Sequence, residues 1–233
     1  MTITNGEIRQ IRSLREKKYR DELGLFVVEG EKMVQEALCS NFEVVRVWRK
    51  EDIGEEAMKR ISALSTPSPV LAVVSKPRPE GLVLARDLYL ALDSVRDPGN
   101  MGTILRIADW FGVNTVFASR DSVEVWNPKV IQASMGSIFR VRFVYSDIPS
   151  LCHRFRETGM DVYGTFLDGD NMYSKELHGE GLIVMGNESN GISAETAAEI
   201  NSRLFIPSYG NSGAESLNVA VATAVTLAEF RRR

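Results

Sequence analysis

The segment LYLALDSVRDPGNMGTILRIADWFG, residues 88–112, decides how this chain folds. It begins with a short apolar run that does not alternate with polar residues, which is typical of a strand buried on both faces of a parallel sheet. A loop containing Asp, Pro, Gly and Asn follows, and the apolar segment after the loop predicts a helix. Strand, polar loop and helix form the repeating unit of an open α/β sheet, in which ligands bind beyond the carboxyl ends of the strands.

The same alternation continues to the end of the chain. Segments such as LIVMG, residues 182–186, are again almost continuously apolar, and a last helix is predicted from about Ser216 to Phe230. Strands are predicted at residues 88–93, 114–119, 139–145, 161–167, 181–186 and 203–207. The predicted fold class is therefore α/β with a mostly parallel sheet.

Towards the N-terminus the pattern describes a second, smaller α/β unit. A basic amphipathic helix is predicted from Asn5 to about Gly24, followed by three strands and two helices. The segment KPRPEG, residues 76–81, carries two prolines and a glycine, which neither a helix nor a central strand tolerates well. We therefore predict a domain over residues 1–80 and a second one over residues 86–233.

Composition limits the possible functions. The 233 residues carry a net charge of −3 and no apolar run long enough for a membrane span, and no secretion signal begins the chain, so we expect a cytoplasmic protein with no membrane partner. Cys39 and Cys152 are too few for a disulfide framework and lack metal-ligand spacing with either histidine. We expect two buried thiols and no metal.

Positive charge is concentrated at the start of the chain, where the first 20 residues hold six basic and two acidic side chains. Such a run predicts contacts with phosphate groups, although a solvated helix face is an equally simple interpretation. The side chains predicted to bind RNA are Arg9, Arg12, Arg15, Lys17 and Lys18.

Three loops at predicted strand ends are unusually polar and rich in glycine: residues 92–106, 184–193 and 205–218. Glycine allows backbone amides to approach a ligand, and a helix that follows favours anionic groups, so the loops suit a nucleotide-like ligand. None of them has the spacing of a dinucleotide-binding loop, a P-loop or a nucleophile elbow. These missing patterns disfavour three classes of enzyme: dinucleotide-dependent dehydrogenases, P-loop nucleoside triphosphatases and hydrolases with a catalytic triad.

The three loops resemble the three motifs of the SpoU (TrmH) branch of the SPOUT methyltransferases. They read DPGNMGTILR, GNESNG and IPSYGNSGAESLN, in the order of that family, and the similarity extends from about residue 88 to the end. The first 85 residues resemble, less specifically, the small RNA-binding domain of many members, most clearly at VVEGEKMVQEAL. The segment at residues 208–215 is longer than is usual in the family.

The resemblance implies transfer of a methyl group from S-adenosyl-L-methionine to a ribose 2'-hydroxyl of structured RNA, with ribosomal RNA favoured over transfer RNA. It also implies a deep trefoil knot in the C-terminal part of the chain and a homodimer. Two alternatives are a catalytically idle RNA-binding assembly protein of the same fold and a methyltransferase that acts on a base nitrogen. The intact motif residues favour ribose methylation over both.

The resemblance assigns activation of the 2'-hydroxyl to Arg106. A guanidinium stays protonated up to about pH 12, so we prefer a phosphate clamp and electrostatic activator over a literal base; the alternative is a surface salt bridge with Asp109. Asn100 is predicted to cap the following helix and to face the reacting centre, and Glu188 to orient Arg106 or bind a ribose. Ser216 and Asn218 complete the catalytic set, and Asn218 is predicted to lie inside the last helix.

The predicted cofactor contacts also rest on the resemblance. They are Thr165, Gly186, Asn187, Ile206, Pro207 and Leu217. Trp110 and Phe111 end an apolar helix, so we expect them to pack in the core and not to stack on bases.

Overall fold

The structure is a computed structural model that describes residues 3–78, 81, 83–209 and 215–232. Its N-terminal lobe, residues 3–78, contains a three-stranded antiparallel sheet in the order β1-β3-β2. The strands are β1 (Leu25–Glu29), β2 (Val44–Arg49) and β3 (Val70–Ser75). The central strand β3 is buried along almost its whole length because its side chains are apolar on both faces.

Five helices cover this sheet: α1 (Asn5–Ser13), α2 (Lys17–Leu23), α3 (Glu31–Leu38), α4 (Lys50–Ile53) and α5 (Glu55–Ile61). A capping box formed by Thr4 and Glu7 starts α1. The prediction of one helix from residue 5 to residue 24 is wrong, because the helix breaks between α1 and α2. Arg20 stabilises the break, because its guanidinium donates to the carbonyl oxygens of Leu14 and Arg15, at 2.9 and 2.8 Å, which a continuous helix would pair with backbone N–H groups.

The second sheet has six strands in the order β6-β5-β4-β8-β7-β9, and all of its pairings are parallel. The strands are β4 (Leu88–Leu92), β5 (Thr115–Ala118), β6 (Arg142–Tyr145), β7 (Val162–Asn171), β8 (Gly181–Met185) and β9 (Ser202–Phe205). This confirms the predicted α/β class with a mostly parallel sheet. The two central strands, β4 and β8, are fully buried.

Helices cover both faces of the parallel sheet. They are α6 (Pro98–Trp110), α7 (Pro128–Ser134), α8 (Ile148–Glu157), α9 (Ala194–Ala198) and α10 (Val219–Arg232), with a 3-10 turn at Ser137–Phe139. Leu90 faces the cluster that holds α6, α7 and α10, whereas its neighbours Tyr89 and Ala91 face the cluster that holds α8. The alternation along β4 is the two-residue period of a strand covered on both faces.

One hydrophobic cluster extends across both lobes. Phe26 of β1 lies with its ring centroid 4.7 Å from that of Trp126, and Phe42 meets Phe139 edge-on at 5.2 Å. These aromatic contacts join one face of the N-terminal sheet to the buried residues around α6 in a single cluster, whereas the other face, with Leu71 and Val73, packs separately against α1 and α5. Contact area of this kind between lobes opposes free movement of one against the other.

Several predictions about individual side chains are corrected by the structure. Cys152 is buried, and burial raises the pKa of its thiol to about 12, but Cys39 is exposed at the end of α3. Trp110 is 85% exposed and does not pack in the core, whereas Phe111 is half-buried. None of the helices in the described ranges combines the length and apolar character needed to cross a bilayer.

Gly102 allows α6 to cross α7 at close range. A Cβ atom at this position would lie 2.5 Å from the Ala133 Cβ and 2.6 Å from the Val130 carbonyl oxygen. We expect Gly102→Ala to lower the free energy of unfolding by about 1–3 kcal/mol through overpacking. Thermal unfolding followed by circular dichroism measures this, with a fall of roughly 2–4 °C in Tm for each kcal/mol.

Gly179→Ala is the matched control, because nothing lies within 4 Å of a Cβ atom there. Equal Tm values for the two variants would contradict this account of the helix crossing.

Candidate active site

The three polar loops meet at the carboxyl ends of the central strands. The first loop follows β4, the second follows β8, and the third runs from β9 to α10. Because β4 and β8 are paired in register up to Leu92 and Met185, the first two loops begin side by side. Residues 210–214, most of the segment predicted to be long, lie outside the described residues.

A chain of hydrogen bonds links all three loops. The Asn218 side-chain amide donates to the Asn100 Oδ1 at 2.9 Å, and the Asn100 amide donates to the Glu188 Oε1 at 2.8 Å. One residue comes from each predicted motif, although they are separated by about 90 and 120 positions in the sequence. The structure therefore brings together three of the five residues predicted to be catalytic.

The start of α10 fixes the donor and acceptor directions in this series of hydrogen bonds. Asn218 is the residue just before the helix, and its Oδ1 accepts from the backbone N–H groups of Ala220 and Val221 at 2.9 and 3.3 Å. Its amide nitrogen must therefore face Asn100, which in turn must present its oxygen to Asn218 and its nitrogen to Glu188. The prediction that Asn218 lies inside the helix is wrong, and it is a helix cap as well as a member of the chain.

Asn100 does not cap α6. That position belongs to Asp97, whose carboxylate accepts from the Asn100 backbone N–H at 2.7 Å, with Pro98 in the first turn. The Asn100 side chain is therefore free for the contacts with Glu188 and Asn218.

The second loop closes on itself around Gly186 and Asn187. A Cβ atom on Gly186 would lie 2.2 Å from the Gly191 carbonyl carbon, so only glycine fits there. The Asn187 Oδ1 accepts from the backbone N–H groups of Ser189 and Asn190, at 2.9 and 3.1 Å. Both residues shape the loop that carries Glu188, and their predicted contacts with a cofactor stay predictions.

Sequence reasoning missed a buried carboxylate at this edge of the sheet. Asp93, which is 5% exposed, accepts from the backbone N–H and the hydroxyl of Ser193, at 2.9 and 2.7 Å. Ser193 caps α9, so this contact ties the end of the second loop to the end of β4. The cap was readable from the sequence, but its partner 100 residues away was not.

Arg106 lies exposed on α6, one and a half turns after Asn100. It has no hydrogen bond or ion pair with the other residues that the structure describes. The alternative of a bridge to Asp109 is not seen, since that carboxylate accepts from Ser137 at 2.8 Å and from the Arg140 Nε at 2.9 Å. The Arg106 guanidinium is thus available to a ligand.

The predicted cofactor residues are spread over several segments. Thr165 lies within β7, just before a register irregularity, Gly186 and Asn187 follow β8, Ile206 and Pro207 follow β9, and Leu217 precedes α10. The Thr165 hydroxyl contacts the Met185 sulfur at 3.7 Å; Ile206 and Pro207 are half-buried, and Leu217 is 50% exposed. Within the described part of the chain, the backbone N–H groups of Ile206 and Leu217 form no hydrogen bond. Free amides beside apolar side chains fit a nucleoside, because a base needs both donors and an apolar wall.

The N-terminal basic residues divide into two groups. Arg15 donates to the carbonyl oxygens of Ile61 and Ser62 at the end of α5, and Lys17 is paired with Asp21 at 2.6 Å, so both have structural partners. Three exposed cations make no hydrogen bond or ion pair with other described residues: Arg9, Arg12 and Lys18.

Comparison with known proteins gives matches to both lobes. The model of the SpoU rRNA Methylase family matches residues 87–228, and that of the MRM3-like substrate binding domain matches residues 5–76. The 23S rRNA (guanosine(2553)-2'-O)-methyltransferase RlmP of Bacillus subtilis is 32% identical to this chain, over 97% of the chain and 96% of its own length.

Two solved structures are similar over the whole chain. A Porphyromonas gingivalis protein assigned to the TrmH family of RNA methyltransferases is 41% identical, with a TM-score of 0.89 and full coverage of both chains. An AdoMet-bound rRNA methyltransferase from Sinorhizobium meliloti is 28% identical, with a TM-score of 0.90, over 100% of this chain and 97% of its own.

The Asn100–Glu188 contact predicts a pH effect. In Asn100→Asp two carboxylates would face each other at the present 2.8 Å, and repulsion would raise the pKa of one of them above its unfolded value. A carboxyl whose pKa is raised on folding destabilises the protein as pH rises from its unfolded pKa through its folded pKa. We therefore expect the Tm difference from the wild type to be small at pH 4 and to grow towards pH 7.

Thermal scans at both pH values measure this difference. Asn114→Asp, at an exposed position, is the control and should show no such growth. A Tm difference for Asn100→Asp that does not change with pH would contradict the close contact.

Proposed function

This chain belongs to the SpoU rRNA methylase family, and on that premise we propose that it transfers a methyl group from S-adenosylmethionine to a ribose 2'-hydroxyl of ribosomal RNA. The observation that carries the proposal is the set of hydrogen bonds that links Glu188 through Asn100 to Asn218. The helix that carries Asn100 also carries the exposed Arg106, which has no partner among the described residues. The named activities of the relatives, on 23S rRNA and with bound AdoMet, support the substrate and the cofactor. Transfer RNA is the second candidate substrate.

S-adenosylmethionine, when bound, supplies an electrophilic methyl group on a sulfonium. The residues that would hold it lie within β7, after β8, after β9 and before α10. The amides of Ile206 and Leu217 would act as donors, the loop at Gly186 and Asn187 would supply backbone contacts, and Thr165 and Pro207 would form walls. The acceptor oxygen must then lie in line with the methyl group and lose its proton as the bond forms.

Arg106 would hold the phosphate next to the reacting ribose and stabilise charge on the acceptor oxygen. Asn100 and Asn218 keep the Glu188 carboxylate in one orientation, since each side-chain amide has a fixed donor and a fixed acceptor. Ser216, exposed two residues before Asn218, adds a hydroxyl at the same edge. Glu188, held in this way, would orient the Arg106 guanidinium or bind the ribose.

The proposal also covers organisation that the family resemblance implies. We propose the division into a substrate-binding domain over residues 1–80 and a catalytic domain over residues 86–233, a deep trefoil knot in the latter, a homodimer and a cytoplasmic location. Support for the knot is the late strand β8 inserted between β4 and β7. Support for the dimer is apolar exposure on two helices in contact, at Trp110 of α6 (85%) and Val221 of α10 (50%).

Arg106→Ala tests the catalytic assignment. Because the side chain has no structural partner among the described residues, its loss should leave the fold intact while removing charge stabilisation at the reacting oxygen. We expect the turnover of an rRNA substrate to fall about 100- to 1,000-fold, with the Kd for S-adenosylmethionine unchanged by calorimetry.

Arg154→Ala, an exposed arginine on α8, is the control and should retain full turnover. Normal turnover of Arg106→Ala would refute the role of this residue, and absent turnover in the wild type would refute the proposed function.

The double variant Arg9→Ala/Arg12→Ala tests the RNA-binding surface. Each phosphate contact releases counterions, so the loss of two should reduce the slope of log K against log salt by up to about 2. RNA affinity across a salt series is the measurement, and kcat at saturating RNA should stay the same.

Arg86→Ala/Arg154→Ala removes the same charge elsewhere on the surface and serves as the control. Equal slopes for the two double variants would show that the positive charge of α1 does not contact phosphate.

A further inference from the structure

One short segment contacts both the N-terminal lobe and the first loop of the candidate active site. Residues 119–126, which we term the strut, follow β5 and precede α7. The strut contains none of the three family motifs, and its two ends contact different parts of the molecule.

The C-terminal end of the strut is bound by the N-terminal lobe. The Glu124 carboxylate accepts from both the Nε and an Nη of Arg20, and the two side chains are only 11% and 3% exposed. Lys76 lies 3.6 Å from the same carboxylate. Two residues later, the Trp126 ring packs against Phe26 at a tilt of 30°, with the ring centroids 4.7 Å apart. A buried ion pair with a planar guanidinium holds its partner in one geometry.

The middle of the strut is held by Tyr145 of β6. Its hydroxyl donates to the Val123 carbonyl oxygen and accepts from the Val125 N–H, both at 2.8 Å. Burial raises the pKa of this phenol to about 12, so it keeps the proton that it donates. The backbone on either side of Glu124 is therefore fixed.

The N-terminal end of the strut binds the loop after β4. The Ser94 N–H donates to the Ser119 hydroxyl at 2.8 Å, and the Ser94 hydroxyl donates to the Asp121 carboxylate at 2.6 Å. Val95 is held on both sides, by the Ser122 hydroxyl at 3.1 Å and the Val123 N–H at 2.9 Å.

Ser94 adopts a conformation that favours glycine, with φ of +62°. Its carbonyl oxygen accepts from the Asn187 amide at 2.7 Å, next to Glu188. The N–H, the hydroxyl and the carbonyl of this one residue are thus all bonded, two of them to the strut and the third to the second loop. A strained backbone persists only where its surroundings hold it.

We propose that the strut positions the loops carrying Asn100 and Glu188 relative to the N-terminal lobe. The positioning residues are Glu124, near the C-terminal end of the strut, and Ser94, which the N-terminal end of the strut binds. This inference rests on the proposed function for its kinetic consequence. RNA held by the N-terminal lobe is thereby presented to the catalytic loops at a fixed distance. The alternative is a strut that only stabilises the fold, which would affect Tm but not separate kcat from KM.

Glu124→Gln and Asp121→Asn perturb the two ends without removing atoms. We expect each to lower kcat by about tenfold, because displacement of a catalytic group by 1 Å can cost about 100-fold. The KM for RNA should stay within about twofold, since neither residue belongs to the predicted RNA-binding surface. In the double variant the loss should be clearly smaller than the product of the single losses, because both changes release the same segment.

Hydrogen exchange of the Ser94 and Val95 amides gives a second measurement that does not depend on catalysis. In Glu124→Gln we expect exchange at these amides to be about tenfold faster, although they lie beyond the opposite end of the strut. Asp52→Asn, an exposed carboxylate in the N-terminal lobe, is the control and should change neither kcat nor the exchange. If Glu124→Gln fails to fold, Lys76→Met weakens the same end more gently.

The outcomes are distinct. The proposal would be overturned if the kcat loss of the double variant came within about twofold of the product of the two single losses. Unchanged exchange of the Ser94 and Val95 amides in Glu124→Gln would overturn it as well. A rise in the KM for RNA at constant kcat would also overturn it, and would place Glu124 with the RNA-binding residues. Faster amide exchange in Glu124→Gln, together with a wild-type protein that does not methylate rRNA, would refute the proposed function and leave the strut intact.

Discussion

The parallel pairing of β4 with β8 is the constraint on which the site depends. It places Leu92 beside Met185 and so starts two polar loops at adjacent points of one sheet edge. Every contact between Asn100, Asn187 and Glu188 follows from this start, because side chains reach only a few ångströms beyond their own backbone. The third loop joins through Asn218, whose orientation is set by the first amides of α10. Sheet register and helix polarity together decide which atom of each amide faces which neighbour.

Much of this arrangement was predictable from local sequence. Apolar runs such as residues 182–186 identify central parallel strands because a strand covered on both faces has no polar side, and glycine-rich loops after such strands mark a ligand site. Gly186 has a local cause that the sequence carries, and so does the start of α6, although the cap there is Asp97 and not the predicted Asn100. The resemblance to a family then assigned roles that periodicity could not.

Other features depend on distant partners and were not predictable. The helix expected over residues 5–24 breaks where Arg20 takes the carbonyls of Leu14 and Arg15 while it pairs with Glu124, a residue 104 positions away. Trp110 ends an apolar helix and yet lies outside the core, since the other residues that the structure describes leave it 85% exposed. Ser94 gives no sequence signal for a left-handed conformation, because the three bonds that hold it come from two other loops. In each case the position of the side chain depends on whether distant parts of the fold contact it, which the local sequence does not show.

The insertion of β8 between β4 and β7 has a consequence for folding during synthesis. Of the strands of the six-stranded sheet, β4 is synthesised first, and about 90 residues must follow before β8, its partner at the centre of the sheet, has been made. At about 5–20 residues per second, this fully apolar strand waits roughly 4 to 18 seconds with one edge unpaired. Unpaired apolar edges invite association between nascent chains. The strand order that assembles the site therefore also leaves the nascent chain with an exposed strand edge, which a chaperone would have to cover until β8 is made.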